Sequence, residues 1–146
     1  MIFRQITTGR QFLLRMEHGD DLLKELYVFF ENNKIDGAFV WILGALECGK
    51  CVAGPQKTSL PPDPIIRVFS ETHEILGWGN FFLNDHEKPK IHLHITTGHG
   101  SETMMGCLRD NARVFLTCEV FVQEVLNPPV RKLDPESATE LLDLEI

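Results

Sequence analysis

The 146-residue sequence contains no long hydrophobic run. Its longest apolar stretch, residues 37–46 (GAFVWILGAL), is too short to span a bilayer. The opening residues, MIFRQITTGRQF, lack the apolar core of a secretory signal peptide. We therefore expect a cytoplasmic protein with no membrane association. In that compartment its four cysteines are expected to be reduced, buried or metal-bound rather than to form a disulfide framework: Cys48, Cys51, Cys107 and Cys118.

Clustered positive charge is also absent. The 14 Lys and Arg residues are outnumbered by 21 Asp and Glu residues, which gives a net charge of −7. The nearest approach to a basic cluster comprises Lys88, Lys90, Arg131 and Lys132, and each of these lies near an acidic residue. An acidic chain repels phosphate backbones unless it concentrates its cations locally. Direct nucleic-acid binding is therefore disfavoured.

Common nucleotide-binding and nucleophile motifs are missing as well. The sequence has neither GxxxxGK[ST] nor GxGxxG, the loops that hold nucleotide phosphates. It also lacks the GxSxG turn that carries the nucleophile of many hydrolases. No motif therefore identifies a catalytic residue, and whether the chain is an enzyme stays open at this point.

What the sequence does contain is a series of strand-like segments separated by turn residues. Alternating, β-branched and aromatic residues predict strands over residues 11–17, 65–70, 73–83, 90–98 and 113–126. Residues 38–54 are interpreted as one buried strand or as two joined near Gly49. Residues 99–108 are interpreted as a loop leading into a short segment.

Two segments predict helices. Apolar residues recur at helical spacing over residues 21–33, with Asp20 as the expected N-cap. The tail, residues 134–146, begins with Asp-Pro and is expected to form a short helix. We therefore predict a single domain over residues 1–146 with an α+β fold. It would be a largely antiparallel β-sheet with one main N-terminal helix and short flanking helices.

The strongest candidate for chemistry is the pair His92 and His94. Alternate residues of a strand share a face, so these side chains would lie about 7 Å apart along the strand. Two imidazoles so placed can share a zinc ion, which needs at least a third protein ligand. Cys107 and His99 are the nearby candidates. The alternative is that both histidines are ordinary residues of a half-exposed strand.

The remaining polar candidates are weaker. Cys48 and Cys51 form a C-x-x-C pair, which can hold a metal or undergo redox chemistry. No second ligand pair accompanies them, which favours two small residues at a strand bend. Glu74 and Glu119 could serve as acid or base beside the histidines, although a solvated strand face is the simpler interpretation for each.

The order of these features resembles the PPC (plant and prokaryote conserved) domain family. The resemblance spans residues 12–144. Typical members follow the H-x-H strand with a G-G-H-L stretch, where this chain has Met-Gly-Cys-Leu at residues 105–108. Cys107 thus stands where the family usually has histidine. Because thiolate and imidazole are both good zinc ligands, the resemblance implies a site of His92, His94 and Cys107 rather than His99.

The resemblance also implies a biological role. PPC domains associate as trimers, and in plants they are joined to AT-hook segments that bind DNA, although this chain has no such hook. It implies a homotrimeric, zinc-binding domain that acts in assembly or partner binding and is associated with DNA through partners. Acetolactate decarboxylases look similar in general architecture, and they imply the alternative: a zinc-dependent enzyme acting on a small carbonyl or carboxylate compound, in which case a small-molecule ligand would bind.

Overall fold

The computed structural model describes residues 1–145, which form eight β-strands and one α-helix. The helix is α1 (Leu22–Asn33). The strands are β1 (Thr7–Glu17), β2 (Gly37–Pro55), β3 (Pro64–Phe69), β4 (His73–Leu83), β5 (Pro89–His99), β6 (Glu102–Leu126), β7 (Val130–Asp134) and β8 (Thr139–Asp143). In this part of the chain no helix has the length and apolar content needed to cross a membrane.

The first six strands form one antiparallel sheet in the order β1-β6-β5-β4-β2-β3. Strand β2 pairs with β4, β4 with β5, β5 with β6, and β6 with β2, so the pairings return to the strand from which they began. Strand β6 is 25 residues long and bends enough to contact β1, β2 and β5. Its bulges against β2 accommodate that bend.

The hydrophobic core lies between helix α1 and one face of the sheet. The helix buries Leu22, Leu26 and Phe30, and the Phe30 ring stacks on Phe81 of β4 with 4.0 Å between centroids. The sheet contributes the alternate residues that point toward the helix, all of them buried: Ala38, Val40, Ile42, Leu93, Ile95, Val120 and Val122. This alternation is why the strands pack the helix on one side only.

Helix α1 lies where the sequence predicts, apart from its first residue. Its N-cap is Asp21 rather than the predicted Asp20, since the Asp21 side chain accepts a hydrogen bond from the Lys24 backbone N–H. The side chain of Asp20 instead accepts from the backbone N–H of Glu17 and closes the preceding turn. At the other end, Lys34 adopts a left-handed conformation that stops the helix.

The predicted α+β class with short flanking helices is wrong. Helix α1 is the only helix in residues 1–145, and the rest of the ordered chain is mostly antiparallel sheet. The segment predicted as a C-terminal helix instead forms the turn and second strand of the β7–β8 hairpin, where Asp134 accepts hydrogen bonds from the Ser137 backbone and hydroxyl. Tertiary contacts override the local helical pattern here: Arg131 donates to the Asn80 side chain, and Glu140 accepts from the Asn84 side chain. The last residue of that predicted helix, Ile146, lies outside the described residues.

One loop prediction also needs correction, and one open alternative is decided. Residues 99–108, predicted as a loop, contain a tight turn and the start of β6. Gly100 adopts a positive φ of 59°, which glycine tolerates, and so lets β5 and β6 form a hairpin. Residues 37–55 form one strand, which confirms the first of the two alternatives, and its register against β6 shifts from Gly44 onward.

Candidate metal centre

The β5–β6 hairpin places the predicted ligands side by side. His92 and His94 point to the face of the sheet opposite helix α1. Cys107 of β6 is the direct cross-strand partner of His94. Directly opposed residues of antiparallel strands project their side chains to the same side. The hairpin register alone therefore brings two imidazoles and a thiol together.

The donor atoms of this group lie close enough for one metal ion. Ligand atoms of His92, His94 and Cys107 all lie within 4.8 Å of one another. The two histidine Nε2 atoms are 3.0 Å apart. In a tetrahedral zinc site the bond lengths place neighbouring ligand atoms roughly 3.3–3.6 Å apart. Small side-chain rotations would therefore suffice, and the donor set of two nitrogens and one sulfur suits zinc.

The surroundings keep His92 neutral. Partial burial of its ring lowers the pKa of His92 to about 4, and the positive charges of Arg131 and Arg109 add to this effect. A neutral imidazole has a free nitrogen lone pair for a metal. Burial raises the pKa of the Cys107 thiol, although Arg109 and a hydrogen bond from the Leu93 backbone oppose the shift. A metal ion bound there would displace the thiol proton.

His99, the other candidate for third ligand, lies apart from this group. It ends β5, where its Nδ1 lies 2.7 Å from the Thr72 carbonyl oxygen and its Nε2 lies 3.5 Å from a Glu71 carboxylate oxygen. The group of possible metal ligands in residues 1–145 does not include it. The geometry favours Cys107 as the third donor, and metal binding by these residues stays a prediction.

The C-x-x-C pair does not form a chelating site. The Cys48 thiol donates to the carbonyl oxygen of Asn111 at 3.1 Å, whereas Cys51 is buried in the core. Burial raises the pKa of Cys51 to about 11, so it is an unreactive thiol. All four cysteines are free. This agrees with the interpretation of the pair as small residues of a strand.

The two carboxylates considered as acid or base lie far from the histidines. Glu119 is aligned across the sheet with Leu43, Leu76 and Thr96, so it lies three strands from β5, roughly 14 Å along the sheet. Glu74 lies four residues along β4 from Trp78, the partner of His94, or roughly 13 Å. Neither is placed to act on a group bound at the histidines.

Three polar residues lie near the site, and none was given a role there from the sequence. Asn80 is the cross-strand partner of His92, and Arg109 continues the β5–β6 register opposite that histidine. Both could have been found by counting hairpin register from the turns. Arg131 donates to the Asn80 side-chain oxygen at 2.6 Å, and its place beside the site depends on the β7–β8 hairpin, whose second strand lies in the segment predicted as a helix.

The candidate metal centre ends a row of exposed apolar side chains. One register line crosses the sheet on the face opposite α1, through Leu13, Phe121, Trp41, Trp78, His94 and Cys107. The first four of these residues are exposed. Phe39 stacks on Trp78 beside this line. We call the four exposed residues together with Phe39 the open face.

These features define a mostly antiparallel β domain with a candidate His/Cys metal centre. A family model matches residues 4–126, and the chain belongs to the Plants and Prokaryotes Conserved (PCC) domain family, which confirms the PPC resemblance. No protein of curated function matches the sequence.

Solved structures share the fold. A metal-containing protein of Archaeoglobus fulgidus is 27% identical, with a TM-score of 0.84 over 97% of this chain and 99% of its own. A plant- and prokaryote-conserved protein of Pyrococcus horikoshii is 22% identical, with a TM-score of 0.84 over all of both chains. A candidate DNA-binding protein of Ralstonia eutropha is 22% identical, with a TM-score of 0.76 over 91% of this chain and 90% of its own.

Proposed function

We propose that this chain is a metal-binding PPC-type domain that works as a homotrimer in assembly or partner binding, with zinc held by His92, His94 and Cys107. The observation that carries the proposal is the convergence of three good zinc donors within 4.8 Å on one hairpin. The Archaeoglobus fulgidus structure, described as metal-containing, supports it at 27% identity. When bound, the metal would tie β5 to β6 and fix the end of the open face.

Assembly is supported by the open face. Monomeric proteins rarely expose contiguous apolar patches of this kind without a partner, and the resemblance to PPC domains makes copies of the same chain the expected partner. Because the candidate metal centre lies on the same face, loading of the metal and packing of the subunits would be linked. Association with DNA would occur through partners, given the net charge of −7.

Metal content per chain tests the proposal. Tag-free protein should contain about one zinc per chain by elemental analysis, and His92→Ala and Cys107→Ala should each lose most of it, because a three-ligand site does not survive the loss of a donor. His99→Ala is the matched control and should keep its zinc. Metal-free wild-type protein after growth with added zinc, or full zinc in Cys107→Ala, would contradict the proposed site.

A second function, a zinc-dependent enzyme acting on a small carbonyl or carboxylate compound, is favoured by one observation. A cavity adjoins His92 and is lined by arginine side chains. Its acid or base would have to be a group other than Glu74 or Glu119.

A further inference from the structure

The cavity beside His92 has an unusual concentration of positive charge for so acidic a chain. It measures about 530 Å³, within the range of small-molecule sites. Its charged lining residues are Lys90 of β5, Arg109 of β6, Arg131 of β7 and Glu140 of β8. Three cations therefore face one carboxylate, in a protein whose net charge is −7.

One carboxylate cannot offset three cations, although the Glu140 charge does act on Arg131: burial lowers the pKa of that guanidinium, and the Glu140 charge opposes the shift. Glu140 forms its ion pair with Lys90 at 3.0 Å, and its other oxygen accepts a hydrogen bond from the Asn84 side chain at 2.9 Å. These two contacts use both of its oxygens. Neither Arg109 nor Arg131 has a carboxylate of its own within ion-pair distance among residues 1–145.

Arg131 is held rigidly although no carboxylate pairs with it in residues 1–145. It is only 7% exposed, and its guanidinium donates to Asn80 Oδ1 at 2.6 Å and to the Glu140 carbonyl oxygen at 3.0 Å. Its Nε is buried with no hydrogen-bond partner in that part of the chain. A buried charge with no directly paired carboxylate is costly, and an anion bound at this guanidinium would offset that cost.

Arg109 provides a second cation on the opposite wall. It is exposed and has neither an ion pair nor a side-chain hydrogen bond among the described residues. Guanidinium groups bind carboxylates and phosphates through paired hydrogen bonds. An anion in the cavity would therefore meet one guanidinium group on each of two walls, with the His92 ring also lining the cavity.

We propose that this cavity binds the carboxylate or phosphate group of a small molecule between Arg109 and Arg131, next to the candidate metal centre. This anion site rests on the proposed function only for the charge that a bound metal would add. Arg109 and Arg131 line the cavity whether or not a metal is bound. Arg131 and Glu140 lie beyond residues 4–126, the part that matches the family model. The β7–β8 hairpin would therefore supply part of the anion site from outside the segment that matches the family model.

Isothermal titration calorimetry at fixed low salt tests the proposal, with lactate and inorganic phosphate as probes and lactamide as the uncharged match to lactate. Chelator-treated wild-type protein should bind at least one of the two anions and bind lactamide far more weakly. Preference for lactate or for phosphate identifies the group recognised. Arg109→Gln should weaken binding by at least about tenfold, because it removes charge-assisted hydrogen bonds.

Controls separate a ligand contact from a folding defect. Arg67→Gln removes an exposed arginine outside the cavity and should bind like the wild type. Arg131→Lys keeps the buried charge but loses the guanidinium geometry, and should also weaken binding. No binding of either anion, equal binding of lactamide, or unchanged affinity in Arg109→Gln would overturn the proposal.

Repeating the titration on zinc-loaded protein separates the two proposals. Anion binding by chelator-treated protein that takes up no zinc would refute the metal site and support the anion site. Zinc uptake without anion binding would do the reverse. If both hold, zinc should strengthen anion binding, since it adds positive charge to the same cavity.

Discussion

Consecutive residues of β2 lie on opposite faces of the sheet and differ sharply in exposure to solvent. Val40 and Ile42 are 1% and 2% exposed beneath helix α1, whereas Trp41 and Leu43 are 41% and 52% exposed on the other face. The sequence does not mark this difference, because the run AFVWIL is apolar at every position. Continuous apolar strands are typical of sheets covered on both sides. The sequence of β2 therefore suits a strand that is buried on both faces. Within the chain, helix α1 covers only one of them.

The covered face should tolerate truncation least. Phe30→Ala removes the ring that stacks on Phe81 and leaves a cavity under the sheet. We expect the free energy of unfolding to fall by about 3–5 kcal/mol, measured by chemical denaturation at fixed protein concentration. Val28→Ala, on the exposed side of the same helix, should change it by less than about 1 kcal/mol. If both variants lost a similar free energy of unfolding, α1 would not have one buried and one exposed side.

The open face should respond through assembly rather than through folding. Trp41→Glu places a charge at the centre of the exposed apolar row, next to Phe121. We expect the proposed homotrimer to dissociate to monomers, measured by sedimentation velocity, because an unpaired charge is costly to bury in an interface. The fold of the separated chain should survive, since this side chain contributes little to the core.

The matched control for that variant is Leu133→Glu. Leu133 is also an exposed apolar residue, but it lies on the β7–β8 hairpin and is not one of the residues of the open face. It should leave the association state unchanged. Dissociation in both variants, or a wild-type protein that is monomeric at high concentration, would show that the open face is not an interface between copies.

Local pattern predicted the covered face well. Helical spacing over residues 21–33 and strict alternation over residues 90–98 each follow from burial on one side, which is the constraint that periodicity reports. The β4 prediction matches His73–Leu83 for the same reason. The proximity of His92 and His94 also needs only alternation within one strand.

The position of Cys107 and the C-terminal hairpin depend on contacts between residues distant in the sequence. The position of Cys107 opposite His94 required the turn at Gly100, which was predicted as part of a loop. The β7–β8 hairpin is specified by contacts to distant residues, such as that between Glu140 and Asn84. The α+β class was wrong because a segment with a helix-like start was judged without these contacts.

Glu124 is a charged residue on the covered face of the sheet. It is 8% exposed at the rim of the core, and both its carboxylate oxygens accept hydrogen bonds from the Arg10 guanidinium, at 2.7 and 2.8 Å. The Arg10 hydrogen bonds lower the pKa of Glu124 from its ordinary value of 4.5. The covered face thus accepts a charge where an ion pair reaches it from the edge.

The pH dependence of stability tests this account. Because the folded-state pKa of Glu124 lies below 4.5, its ionised form stabilises the folded chain above that pH, and the contribution is lost as the pH falls through the lower folded value. Glu124→Gln should lower Tm by a few degrees at pH 7, and the difference should shrink toward pH 3. Glu17→Gln, which breaks the exposed pair with Arg15, should have almost no effect. A Tm difference for Glu124→Gln that stays constant from pH 7 to 3 would mean that shape, and not charge, keeps this residue at the rim of the core.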